Sequence, residues 1–239
     1  MYSIRYAASI GGLLAGIYHS FTIPIFIYYI SLFTYYIHFF IYNRRRMRYN
    51  IHEVMIMEQF GKPGIMSRFE QLDDDLLSIS TGDRRIEIVI VGGSALMMLG
   101  IVGNERMTTD IDVLEAEKQI DMLLERYDMN QHVSTFLYRM PENWYERRQR
   151  IPFSGMVLDV YAPSNEDLAI MKLDAYREVD IGDLHEMVAN GELDLEKLQG
   201  IIQDDTELRI NYDDEGEWET FLSRFDALKA FATSLEQPE

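Results

Sequence analysis

Hydrophobic positions along this chain change period several times, and each change marks an element. Phe69, Leu72, Leu76 and Ile79 recur at three and four, which predicts a helix over Ser67–Ile79. Thr81-Gly82-Asp83 reads as a turn, and Ile86–Val91 as the short β-branched run of a buried strand. Gly92-Gly93-Ser94 then opens a helical stretch, Ala95–Leu99, that stops at Gly100. Asp110–Leu114 alternates as a strand does, with Ile111 and Val113 facing inward. Ala116–Tyr127 is predicted as one helix, carrying Ile120, Leu123, Leu124 and Tyr127 on one face. Ser134–Arg139 reads as a strand, and Met156–Ala162 as a clearer one. Pro163-Ser164 starts another helix, with Ser164 as N-cap and Asp167 in its first turn. Asp180–Ala189, Leu193–Gln203 and Trp218–Ser234 carry helical spacing. The order predicts an α/β (α+β) fold, a short mixed sheet with flanking helices and a helical C-terminal part.

A different pattern comes first. Tyr6 to Asn43 is a run of 38 residues without Asp, Glu, Lys or Arg. A bilayer core takes roughly 20 apolar residues, so residues 7–42 are long enough for one tilted helix or two short ones about Pro24. Arg44, Arg45, Arg46 and Arg48 follow, and the positive-inside bias puts them and everything after in the cytoplasm. The expectation is an apolar N-terminal helical segment that anchors a cytoplasmic domain in the inner membrane. The alternative is an over-extended start, because Met47, Met55, Met57 and Met66 can each begin a shorter product. The expected divisions are 1–50 for this segment, 57–190 for the main domain and 191–239 for an acidic helical C-terminal part.

Charge sharpens that division. The chain of 239 residues carries 22 Lys+Arg against 40 Asp+Glu, a net charge of −18. The first fifty residues hold five arginines and no acid, so the remainder carries −23. Such an acidic body does not coat nucleic acid non-specifically, which needs a basic face. Arg139, Arg147, Arg148 and Arg150 are the concentrated positive charge after residue 50. The absence of cysteine excludes a disulfide scaffold, a thiolate metal site and a cysteine nucleophile.

Three pieces suggest chemistry. Val91-Gly92-Gly93-Ser94 runs from a strand through glycines into a helix, where free N–H groups favour phosphate. A tight strand-to-helix turn also needs glycines. Asp110 and Asp112 point to one side of a strand, which suits a hard divalent cation; a solvated acidic edge is the other reading. Asp159 sits in the otherwise apolar Met156–Tyr161 strand, and a buried carboxylate needs a metal or a cation. A neighbouring strand bearing Asp110 and Asp112 gives it a metal; Arg147, Arg148 or Arg150 gives it a salt bridge. Lys172 shares a mostly apolar helix face with Leu168, Ala169, Ala175 and Tyr176, and there it wants a triphosphate or a carboxylate, unless it snorkels to the surface.

Gly92-Gly93-Ser94-Ala95-Leu96, Arg106-Met107-Thr108-Thr109-Asp110-Ile111-Asp112, Leu158-Asp159-Val160, and Asp167-Leu168 through Lys172, Arg177, Asp180 and Asp183 come in this order. Together they resemble the DNA polymerase β-type nucleotidyltransferase superfamily, nearest its small prokaryotic AbiEii-like toxin branch. The resemblance covers roughly residues 87–189. It implies a nucleotidyltransferase fold and an enzyme that moves a nucleotide from an NTP to a hydroxyl of RNA (tRNA-like) or protein, as the toxin of a toxin–antitoxin pair. By position it implies Mg²⁺ (or Mn²⁺) held by Asp110, Asp112 and Asp159, a triphosphate held at Gly92, Gly93 and Ser94, and Lys172 at the active site. The implied partners are an NTP, an RNA or protein acceptor and an antitoxin. Asp110 lies seventeen positions after Gly93, longer than the tightest family pattern and usual for the toxin-like branch. The alternative is a catalytically silent module on the same fold that binds a partner, at the membrane or elsewhere.

Overall fold

Burial on one side of a short sheet organises the chain. The computed structural model describes residues 59–79, 85–212 and 214–236. The apolar segment at 7–42 and the turn at 81–83 lie outside them. Among the described residues, no helix is long and apolar enough to cross a membrane.

Helix α1 (Lys62–Ile79) starts five residues earlier than its apolar spacing alone indicates. It presents Ile65, Phe69, Leu72 and Leu76, all fully buried, at intervals of four, three and four. Strand β1 (Ile86–Ile90) runs into α2 (Gly92–Leu99), which ends on Gly100 at a φ of +77°. Strand β2 (Ile111–Ala116) follows. Ala116 is taken into the sheet opposite Ile88, so the helix expected from that residue is confined to a 3₁₀ turn, Lys118–Ile120, and the short α3 (Asp121–Arg126). The two-residue β3 (Met129–Asn130) comes next. His132–Arg139 is a 3₁₀ helix rather than the expected strand, and Val133 and Leu137 pack against the core from it. A 3₁₀ turn over Trp144–Arg147 leads into β4 (Gln149–Arg150), and β5 (Leu158–Ala162) completes the sheet. Helices α4 (Asn165–Ala175), α5 (Glu178–Ala189), α6 (Leu195–Asp204), α7 (Thr206–Ile210) and α8 (Glu215–Leu235) form the C-terminal part. The hydroxyl of Ser164 accepts from the N–H of Asp167, so the N-cap of α4 stands as its sequence indicates.

The strand order is β3-β2-β1-β5-β4. Strand β1 pairs antiparallel with β2 and parallel with β5, β2 pairs parallel with β3, and β4 antiparallel with β5. This is the mixed sheet that the pattern predicts. Ile88, Ile90, Leu158, Val160 and Ala162 lie on the helix-covered face, each at most 1% exposed. The opposite face carries Glu87, Val89, Asp159 and Tyr161 and is only partly covered. A register shift between Val89 and Ile90 matches Ile90 with Val113, which leaves Asp112 on that second face.

Asp73 on α1 fixes the approach to β5. Its carboxylate accepts from the N–H groups of Met156, Val157 and Leu158 at 2.7, 2.9 and 2.7 Å. The helices beyond residue 190 pack into the same compact unit, Glu58–Glu239, with Leu198, Trp218, Phe221 and Leu228 in its core.

Candidate active site

The turn from β1 into α2 brings the glycines against the acidic strand. Val91 N–H donates to the carbonyl of Asp112 at 2.9 Å, so the end of β1 is level with the carboxylate pair. Gly92 has a φ of +66°, and a Cβ there would lie 3.0 Å from Asp112 Oδ2. Only glycine meets both conditions without strain. The first N–H groups of α2 have no i−4 acceptor within the helix, and that of Ala95 donates to the Val91 carbonyl at 3.3 Å. The Ser94 hydroxyl, expected on phosphate, is buried and donates to the Val91 carbonyl at 2.9 Å. Ser94 therefore shapes the turn.

Asp110 and Asp112 are brought together as expected. Thr108 pairs with Phe60 through two backbone hydrogen bonds, and its hydroxyl donates to the Asp110 carbonyl at 2.9 Å, which fixes the entry to β2. The Asn130 amide on β3 donates to Asp110 Oδ2 at 2.9 Å and to Asp112 Oδ1 at 3.4 Å. Burial first, then the charge of Asp110, pushes the Asp112 carboxyl above the usual carboxylate range, with Asn130 and Arg177 opposing.

Asp159 is not part of this group. β1 lies between β2 and β5, so the two acidic strands are not neighbours. Asp159 is in register with Glu87, four residues before Val91, which at strand rise is about 13 Å along β1 from the level of Asp112. Its carboxylate is held by Arg85 Nη2 at 2.7 Å, by Arg85 Nε at 2.5 Å and by Arg150. The expectation of three converging aspartates is corrected here, and the salt-bridge alternative describes Asp159. Hydrogen bonding from Arg85 holds its carboxyl below the usual range. The stabilisation is complete above the unfolded value of about 3.9 and fades as pH falls through the lower folded value. Asp159→Asn is therefore expected to leave divalent-ion affinity unchanged while flattening the acid limb of urea unfolding. A loss of ion affinity in that variant contradicts this placement.

Lys172 is 5% exposed and meets carboxylates rather than open space. Its Nζ donates to Asp183 Oδ2 at 2.6 Å and to Asp180 Oδ1 at 3.1 Å, both on α5. Asp183 also accepts from Arg106 Nη2 at 3.2 Å. Arg106 lies against Gly93, where a Cβ would be 3.5 Å from its Nη2, and its Nε is buried with no hydrogen-bond partner among the described residues. Asp180 accepts from Arg177 Nε at 2.7 Å. Burial raises Asp180, but the bonds and charges of Arg177 and Lys172 outweigh it and hold the carboxyl low. Arg106, Asn130, Arg177, Asp180 and Asp183 thus join the site beyond the residues first expected there. The spacing of Arg177, Asp180 and Asp183, three apart at the start of one helix, is a sequence signal for part of this. A two-residue strand leaves none for Asn130.

The four concentrated arginines all have acidic partners. Arg139 pairs with Asp174 and Glu217, Arg147 with Asp167, Arg148 with Glu87 and Arg150 with Asp159.

A divalent cation fits the donor set, because Asp110, just before β2, and Asp112 within it offer hard oxygen ligands to one amide, beside a glycine turn that a Cβ would crowd. Among the described residues, no cluster of three or more His, Asp or Glu is arranged to hold a metal. The site is thus a carboxylate pair, with the N-terminus of α2 and the Arg106 guanidinium near its glycine turn. No curated protein and no solved structure matches the chain significantly. One family model does, over residues 67–232, more than half of the sequence. The chain belongs to that family, described as nucleotidyltransferase of unknown function (DUF6036).

Proposed function

We propose that this chain is a Mg²⁺-dependent nucleotidyltransferase that passes a nucleotide from an NTP to a hydroxyl and releases pyrophosphate. Its main support is the placement of Asp110 and Asp112 level with the Gly92–Gly93 turn. Asp110 and Asp112 would hold the ion, which when bound neutralises polyphosphate charge and lowers the pKa of the attacking hydroxyl. Gly93 and Ser94 offer backbone N–H groups to the phosphates. Arg106 adds a guanidinium beside Gly93, held by Asp183. Lys172 acts at one remove, fixing Asp180 and Asp183 so that Arg177 and Arg106 are presented in one arrangement. Transfer of this kind rests on positioning and electrostatics and needs no nucleophilic side chain.

The paired state of Arg139, Arg147, Arg148 and Arg150 favours a protein hydroxyl over an RNA end as acceptor, because phosphodiester binding needs uncommitted cations. The motif order that resembles the AbiEii-like branch supports a toxin role with an antitoxin partner. The run at 7–42 supports a cytoplasmic domain tethered at the membrane. Incubating the full chain with Mg²⁺ and each α-³²P-labelled NTP is expected to label an acceptor in a cell extract, and Asp110→Ala is expected to abolish it. Equal labelling by both proteins overturns the proposal. A second reading, a silent module that binds Mg²⁺ and NTP without transfer, is favoured by the arginine-bound state of Asp159. Retained NTP binding with no labelled acceptor decides for it.

A further inference from the structure

Two carboxylates at alternate residues, one just before β2 and one within it, repel each other, and here one neutral side chain bridges them. Asn130 stands on β3 in register with Asp112, on the strand adjacent to the acidic one. Its Nδ2 donates to Asp110 Oδ2 at 2.9 Å and Asp112 Oδ1 at 3.4 Å, while its Oδ1 accepts from the His132 N–H at 3.0 Å. Both ends of the amide are satisfied, and this fixes which end faces the acids. The amide hydrogens therefore lie where positive charge is wanted.

We propose that Asn130 is a switching third ligand: its NH₂ bridges Asp110 and Asp112 when no ion is bound, and its Oδ1 coordinates the divalent cation when one binds. The inference rests on the metal-binding reading of Asp110 and Asp112. An ion beside those oxygens inverts the local electrostatics, because the partly positive NH₂ is repelled and the amide oxygen attracted. A half-turn of the amide about the Cβ–Cγ bond exchanges the two without moving the strand. The same rotation takes Oδ1 away from the His132 N–H, so ion binding is reported at the first residue of the 3₁₀ helix His132–Arg139. An amide oxygen is an ordinary ligand for Mg²⁺ and Mn²⁺. Its adjacent-strand position also supplies what Asp159, on the far side of β1, does not.

The test is calorimetric titration of the full chain with Mn²⁺, together with amide NMR of the Mg²⁺ complex. Asn130→Ala is expected to weaken Mn²⁺ about tenfold, the effect of losing one supporting group at a metal site. Asn130→Asp is expected to bind the ion more tightly than wild type. Mg²⁺ is expected to shift the Asn130 side-chain NH₂ and the His132 backbone amide together. Wild-type binding with unchanged affinity in both variants and a static His132 amide overturns the role of Asn130 alone. No ion binding by wild type removes the metal reading itself, and the switch with it.

Discussion

Asp112→Asn is expected to lower nucleotide transfer by about a thousandfold or more. A carboxylate ligand to Mg²⁺ contributes several kcal/mol of charge stabilisation, and each ~1.4 kcal/mol is a factor of ten in rate. Asparagine keeps the shape of the side chain and removes its charge. Folding is expected to move the other way. Burial and the charge of Asp110 raise the Asp112 carboxyl. A carboxyl raised on folding contributes stability below its unfolded pKa and loses it as pH rises through the folded one. At neutral pH the ionised group is thus a burden on the ion-free fold, and the variant should melt at the same temperature as wild type or higher. Thermal melts beside single-turnover transfer separate the two effects. A variant that loses activity and stability together indicates a structural role for Asp112 instead. The raised value also means that protons displace the ion at a higher pH than at an ordinary carboxylate pair.

Lys172→Met is expected to destabilise the fold by about 3–5 kcal/mol, the usual result of removing one partner from a buried ion pair. The lysine and its two acids are all nearly inaccessible, with side chains 6%, 2% and 5% exposed for Lys172, Asp180 and Asp183. Methionine fills the volume but leaves two buried carboxylates sharing only Arg177 and Arg106. For a unit of this size the melting temperature should fall by roughly 10 °C. Adding Asp183→Asn to Lys172→Met is expected to recover part of the loss, because the second change removes an uncompensated charge. A single variant that melts like wild type contradicts the buried network. Should Lys172 instead touch phosphate, activity falls while the melting temperature holds.

Local pattern carried most of the fold into view. Ser164 with Asp167, the apolar spacing of Phe69, Leu72 and Leu76, and the stop at Gly100 are all short-range signals, and each marks an element that forms, although α1 begins five residues before its spacing does. Pattern and structure part where the sheet overrides local preference. Ala116 belongs to a strand because Ile88 is opposite it. The segment at 132–139 coils because β3 has already taken the edge beside β2. In the site, Asp110 and Asp112 were legible because their spacing alone puts them on one face. The partners of Asp159 are not legible in the same way, because they depend on strand order, which periodicity does not encode. Arg85, which holds it, lies 74 residues away in sequence. The link from Lys172 through Asp183 and Arg106 to Gly93 was invisible for the same reason, since each step joins a different element.

The most direct measurement is NTP binding by the full chain with Mg²⁺ and with EDTA, followed by calorimetry for wild type and Asp110→Asn. The account predicts saturable binding that requires the divalent ion and is lost in the variant. Equal binding in EDTA, or equal binding by both proteins, contradicts it.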